Sequence, residues 1–212
     1  MSGRGKGLQL GLIASALWAS VFSAARYATA ARGVDPILTA ALRFGIGAVG
    51  AVLFLALSGR LGRLKGAARD LVPLSAIGAV GIFAMGILVF ISASLTSSIN
   101  GALLLNSNAV FIAVFAIFAG ERVPLLRFVG LIIGLAGCGV IVLGHTPPQE
   151  LPVASNLLGS LAALGGAICW AAYTVAGKRY VRRHGGLVTS TITLIAGALM
   201  LAIVAAARRP AF

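Results

Sequence analysis

The sequence predicts an all-α membrane protein: a polytopic helical bundle of seven transmembrane helices built from two inverted five-helix repeats, the second incomplete. Three observations lead there. Of 212 residues, 59% are hydrophobic and 10% are charged, with a mean hydropathy of +1.05. A soluble domain carries about 25% charged residues, so a water-soluble globular protein is excluded. The charges are confined to short stretches between long uncharged runs, and a segment near the start recurs close to the end.

Each span follows from the length of an uncharged run. A helix needs about 20 apolar residues, rising about 1.5 Å each, to cross a hydrocarbon core roughly 30 Å thick. The first span, near 8–26, fills the run Gly7–Ala25. The second, 36–57, joins Pro36–Leu42 to Phe44–Gly59 by tolerating Arg43 inside it. The run Leu71–Gly120 holds two crossings, at 72–93 and 99–119, divided by the polar patch Ser94-Leu95-Thr96-Ser97-Ser98. The remaining three lie near 127–144, 157–177 and 186–207. A closed barrel would instead show roughly ten-residue segments of alternating polarity. Stretches such as GLIIGLAGCGVIVLG do not alternate.

Lys and Arg collect in cytoplasmic loops. With the amino terminus inside, 12 of the 17 fall on the inner side: Arg4, Lys6, Arg60, Arg63, Lys65, Arg69, Arg122, Arg127, Lys178, Arg179, Arg182 and Arg183. Arg26, Arg32, Arg208 and Arg209 fall outside, and Arg43 lies within a span. The expected location is therefore the cell inner (plasma) membrane, multi-pass, with a cytoplasmic amino terminus. A cleavable signal peptide ending at Ala28-Thr29-Ala30 is the weaker account of the start, because the same segment recurs later in the chain. The formal charge of +13 alone would suggest a nucleic-acid binder. Short basic loops between spans are better explained by topology and anionic headgroups. Cys138 and Cys169 fall inside spans and read as small apolar packing residues.

A shift of 152 residues (170 − 18) lays Trp18 on Trp170, Ala24 on Ala176, Arg26 on Lys178 and Gly45 on Gly197. The unit is then five spans. An odd number makes the second copy enter from the opposite side, the inverted arrangement of secondary transporters. Residues 1–148 form the first repeat and 149–212 the start of the second. On this reading roughly three helices are absent, and a native seven-span protein is the alternative.

The segment AIFAGERVPLLRFVGLIIGLAGCGVIVLG, with its Gly-Glu turn and Gly-rich helix, resembles the fourth-to-fifth-helix pattern of the EamA-type branch of the drug/metabolite transporter superfamily. Trp18, the Asp35-Pro36-Ile37-Leu38-Thr39…Arg43 opening of the second span and ISASLTSSINGALLL are similar as well. The resemblance implies ten helices in two inverted repeats around a central cavity, moving small metabolites, often outward. Where the family commonly has a proline in its fourth helix, this chain has Asn108. Less bending there, or polar binding, is expected.

Arg43 is the sharpest candidate, roughly 10 Å below the outer surface, where a charge costs at least about 2.5–3.5 kcal/mol. Either it snorkels outward, or it faces the cavity and grips a carboxylate or phosphate through its planar fork. The resemblance strengthens the second. Trp18 and Trp170 lie mid-span, away from the interfacial belts, and read either as aromatic walls of a cavity or as plain packing. Tyr173 accompanies Trp170. Asn100 and Asn108 share a face with Ser97, while Asn106 projects elsewhere; buried amides either join helices or line a cavity. The structural or gating positions are Glu121, expected to pair with nearby Arg and fix the turn, Pro36, and the small-xxx-small pair Gly130 and Gly134.

No acid lies deep in a span, so no membrane-embedded proton carrier is visible. Neither cofactor nor metal site is expected, and His145 and His184 lie on opposite sides, which argues against an enzyme. The expected function is a permease or exporter of small metabolites, amino acids or related compounds, working by alternating access through a central cavity. The alternative is a non-transporting membrane scaffold or assembly subunit. The partners expected are the lipid bilayer and a small-molecule solute, with a homodimer left open and no nucleic acid.

Overall fold

The computed structural model describes residues 3–121, 124–144 and 152–208. Among them the chain forms α1 (Gly3–Arg26), α2 (Pro36–Leu57), the short α3 (Gly62–Gly66), α4 (Ala68–Leu95), α5 (Ser98–Phe118), α6 (Leu125–Gly144), α7 (Val153–His184) and α8 (Gly186–Arg208). The protein is an all-α polytopic membrane protein. Among the described residues, five helices, α2, α4, α5, α7 and α8, are long and apolar enough to cross a membrane. In α1 and α6 several side chains lie outside the described residues, and α6 contributes the shorter apolar stretch Phe128–Gly137. Leu57, Phe118 and Leu126 are more than four-fifths exposed. Such apolar surface suits lipid as its solvent.

The ends of the helices follow from local chemistry. Asp35 caps α2, its carboxylate accepting from the Ile37 and Leu38 amides at 2.8 and 2.9 Å, with Pro36 in the first turn. There the missing proline N–H costs nothing. α5 ends at Gly120, with φ +79°. The Glu121 amide reaches the Ala116 carbonyl at 2.8 Å and the Gly120 amide that of Ile117 at 2.9 Å. This double closure needs a left-handed residue after the helix, which only glycine adopts cheaply.

α5 is interrupted at Ser107, where the Ser107 hydroxyl donates to the Leu104 carbonyl at 2.6 Å. Without a proline, the helix is still broken one residue before Asn108. A serine hydroxyl competing for a carbonyl of the preceding turn accounts for the break.

α2 packs along α8, α4 lies against α7 and α8, and α5 against α7. The main core gathers Phe22, Phe44, Met85, Val89, Phe90, Leu105, Ala167 and Leu201. Close approach is tightest at three glycines. A Cβ at Gly78 would lie 2.5 Å from the Thr193 carbonyl oxygen, one at Gly197 2.4 Å from Ile82, and one at Gly81 2.2 Å from the Tyr173 ring. Gly130 and Gly134, the pair singled out from sequence, have nothing within 4 Å of an added Cβ.

Ion pairs and hydrogen bonds tie the two rims. At one, the Arg26 guanidinium donates to the Thr96 carbonyl, and the Thr96 hydroxyl donates to Asn156 at 2.5 Å. The end of α1 thus meets the start of α7, so these helices run antiparallel. At the other rim, Asp70, just before the apolar run that starts at Leu71, holds Arg183 at 2.9 Å and His184 at 2.7 Å. Residues 58–70 and the end of α7 therefore share one face of the bundle. The His184 hydrogen bond, reinforced by the Arg183 charge, holds the Asp70 carboxyl below the usual carboxylate range.

Candidate solute-binding site

A polar and aromatic cluster crosses the middle of the bundle. Arg43 sits in the second turn of α2, half-buried. Its guanidinium carbon lies 5.3 Å from the centre of the Trp18 ring and 5.0 Å from that of Phe44. A planar guanidinium is drawn to the negative face of an aromatic ring, an attraction of about 0.5–2 kcal/mol that rises on desolvation. The Trp18 ring in turn meets Trp170 at 5.4 Å, and Trp170 stacks on Tyr173 at 5.2 Å. The Tyr173 hydroxyl is 3.2 Å from that of Thr193 on α8. The series runs from α2 through α1 and α7 to α8, and Gly81 leaves the space that the Tyr173 ring occupies.

Charge is the unusual part. Arg43 has no carboxylate within ion-pair distance among the described residues. A cation within a membrane-spanning helix ordinarily pairs or faces water. Here the aromatic faces supply partial compensation and leave the fork of donors for something else.

Four of the residues singled out from sequence, Arg43, Trp18, Trp170 and Tyr173, come together in this cluster. Asn100 stands apart. It is buried at the start of α5, its backbone N–H donating to Ser97 Oγ at 3.1 Å and its side-chain Oδ1 without a partner among the described residues. The neighbouring Gly101 packs under Phe22, one turn beyond Trp18 on α1. Asn108 is half-buried past the break in α5, and Asn106 is exposed. Glu121 pairs with Lys178 of α7 at 2.6 Å, a partner on a different helix from the nearby Arg expected. Pro36 opens α2 as described. His145 and Cys138 fall where side chains are not described, while Cys169 packs on the main core.

Two cavities open beside Tyr173. One, of about 400 Å³, lies between the end of α7 and the start of α8, among Tyr173, Thr174, Lys178, Arg182, Thr189 and Ser190. A smaller one, of about 240 Å³, runs between Ile77, Val80 and Ala176. Sequence reasoning passed over Thr189, Ser190 and Thr193. Their signal was the hydroxyl-rich stretch Thr189-Ser190-Thr191-Ile192-Thr193 inside an otherwise apolar span.

The chain is thus a multi-pass helical bundle with an aromatic series in its interior and, among the described residues, a cation there without an ion-pair partner. Residues 5–143 match the EamA-like transporter family, and the chain belongs to it. Among curated proteins it is similar to YyaM of Bacillus subtilis (strain 168), named as an uncharacterized transporter, with 30% identity over 87% of this chain and 61% of the relative. It is also similar to an uncharacterized transporter of Clostridium kluyveri, with 28% identity over 80% of this chain and 55% of that protein. The aromatic amino acid exporter YddG of Ancylobacter novellus shares 32% identity over 82% of this chain and 58% of its own length. The chain thus spans somewhat more than half the length of these relatives. No solved structure matches it.

Proposed function

We propose that this chain is part of an inner-membrane permease for small metabolites bearing an aromatic ring and a carboxylate, amino acids or close relatives. It works by alternating exposure of the cluster around Arg43, with the amino terminus and the Lys178 rim cytoplasmic. The single observation that carries this reading is Arg43: a cation inside a membrane-spanning helix, stacked on Trp18 and without a carboxylate partner among the described residues. A solute carboxylate would satisfy the fork by two charge-assisted hydrogen bonds. Its ring would find the Trp18, Trp170 and Tyr173 faces. The name of the Ancylobacter relative supports the same solute class.

The inverted repeat belongs to this proposal. Its supports are the antiparallel run of α1 and α7 and the contact of Trp18 with its own counterpart, Trp170. Uptake of labelled L-phenylalanine into proteoliposomes holding the protein tests the function. Saturable flux that Arg43→Ala reduces at least tenfold, with insertion unchanged, is expected. Flux no greater than that of empty liposomes would favour the scaffold reading.

A further inference from the structure

The cavity between α7 and α8 has chemistry that the central cluster does not use. Lys178 and Arg182 stand one helical turn apart on α7 and both line it, with Thr189 and Ser190 opposite on α8 and Tyr173 at its inner end. Of its two cations, Lys178 is already paired with Glu121 at 2.6 Å. Arg182, exposed at the mouth, has no ion-pair partner among the described residues. The cavity therefore holds one uncompensated positive charge.

Thr189 adds a second, independent sign. It is 2% exposed, and its hydroxyl is without a hydrogen-bond partner among the described residues. The neighbouring buried threonines of α8 behave differently: Thr191 donates to the Leu187 carbonyl at 2.8 Å and Thr193 to that of Ser190 at 3.1 Å. A buried polar group left unmatched costs about 1–3 kcal/mol and calls for an explanation. A ligand oxygen in the cavity that Thr189 lines supplies one. The volume, about 400 Å³, falls within the roughly 300–1,000 Å³ of small-molecule sites.

We propose that this cavity is a loading site for a small monocarboxylate. Arg182 and Thr189 hold its anionic group, Lys178 adds charge in competition with Glu121, and Tyr173 receives its apolar part. The proposal rests on the transport reading and extends it. A solute docks at the rim with its carboxylate toward Arg182, and Tyr173, stacked on Trp170, joins this site to the central cluster. Phosphate is disfavoured, because a single uncompensated cation matches one negative charge.

The chain has two tryptophans, Trp18 and Trp170, and Trp170 stacks on Tyr173, so tryptophan emission senses the cavity through Tyr173, and the Thr189 and Arg182 variants separate it from the central cluster. Purified protein in nanodiscs of zwitterionic lipid is titrated with 3-phenylpropionate, with phenethylamine and with sodium phosphate. Saturable change with 3-phenylpropionate is expected, weakened at least about fivefold in both Thr189→Val and Arg182→Gln. Phenethylamine and phosphate should neither bind nor compete. The near-isosteric valine removes only the unpartnered hydroxyl, so its fold should survive, as circular dichroism will verify. Undiminished 3-phenylpropionate affinity in both variants, no saturable change in the wild type, or equal competition by phosphate would each overturn the assignment. The transport reading fails separately: loading-site binding that depends on Thr189, with no flux in proteoliposomes, leaves the site standing and removes the permease.

Discussion

Trp18 of α1 packs against Trp170 of α7, ring centroids 5.4 Å apart and planes inclined by 38°. These residues are equivalent under the 152-residue shift. A residue that touches its own counterpart lies close to the axis relating the two copies, as in any isologous contact. The pair therefore marks the place where an inverted repeat would pivot. Aromatic pairs are coupled by about 0.5–1.5 kcal/mol beyond the area they bury. Thermal unfolding in detergent should accordingly give Trp18→Ala and Trp170→Ala effects that fail to add by about that amount. Strict additivity would mean that the rings do not interact.

Arg43 separates function from stability. Replacing it with leucine removes a charge held in a membrane-spanning helix without a carboxylate, so the Arg43→Leu protein should unfold at an equal or higher temperature than the wild type. Its phenylalanine flux should nevertheless fall at least tenfold. Arg43→Lys should recover little, because an ammonium lacks the planar fork that stacks on Trp18 and that, on the proposed function, would hold a carboxylate at two points. A marked loss of thermal stability in Arg43→Leu would recast the residue as structural.

The glycines of α4 and α6 should respond in opposite ways. Gly81→Ala places a methyl group 2.2 Å from the Tyr173 ring. Overpacking of this kind costs about 1–3 kcal/mol. It also pushes Tyr173 away from Trp170 and Thr193, so tryptophan emission should shift. Gly130→Ala meets open space and gains up to about 1 kcal/mol of helix propensity. Melting curves of the two variants check both.

The clasp of Asp70 with His184 and Arg183 carries a pH signature. Because the folded carboxyl titrates below its usual range, its contribution is fully present above the unfolded value, about 3.9. It is lost as pH falls through the lowered native value. The wild type should therefore melt above Asp70→Asn at neutral pH, and the gap should close on acidification below about pH 4. A gap that persists in acid would assign the effect to packing. Cysteines at 70 and 183 should also crosslink, since both lie on one face of the bundle.

Much of this organisation was legible from residue order. Uncharged runs located the helices because lipid tolerates so few charges, and Asp35-Pro36 announced the start of α2 by ordinary capping chemistry. The offset of 152 paired Trp18 with Trp170 in sequence, and the two rings are in contact. Rotation about each helix axis was not legible. It decided that Gly78, Gly81 and Gly197, unlike Gly130 and Gly134, are among the glycines with neighbours in close contact. It also turned Glu121 toward Lys178, 57 residues away in sequence, and brought Thr189 to a cavity that forms only when α7 and α8 meet. One sequence reports polarity and period, whereas contacts between distant helices depend on the packing of all of them together.

The 32 residues of α7 measure about 48 Å at about 1.5 Å each, against a hydrocarbon layer of roughly 30 Å. The excess cannot be wetted by acyl chains, so the helix tilts or its Lys178–His184 turns stand among the phosphates. Where those turns stand among the phosphates, the mouth beside Arg182 opens at headgroup depth rather than into bulk water, and bilayer thickness and anionic phospholipid content should then govern how readily the proposed loading site fills.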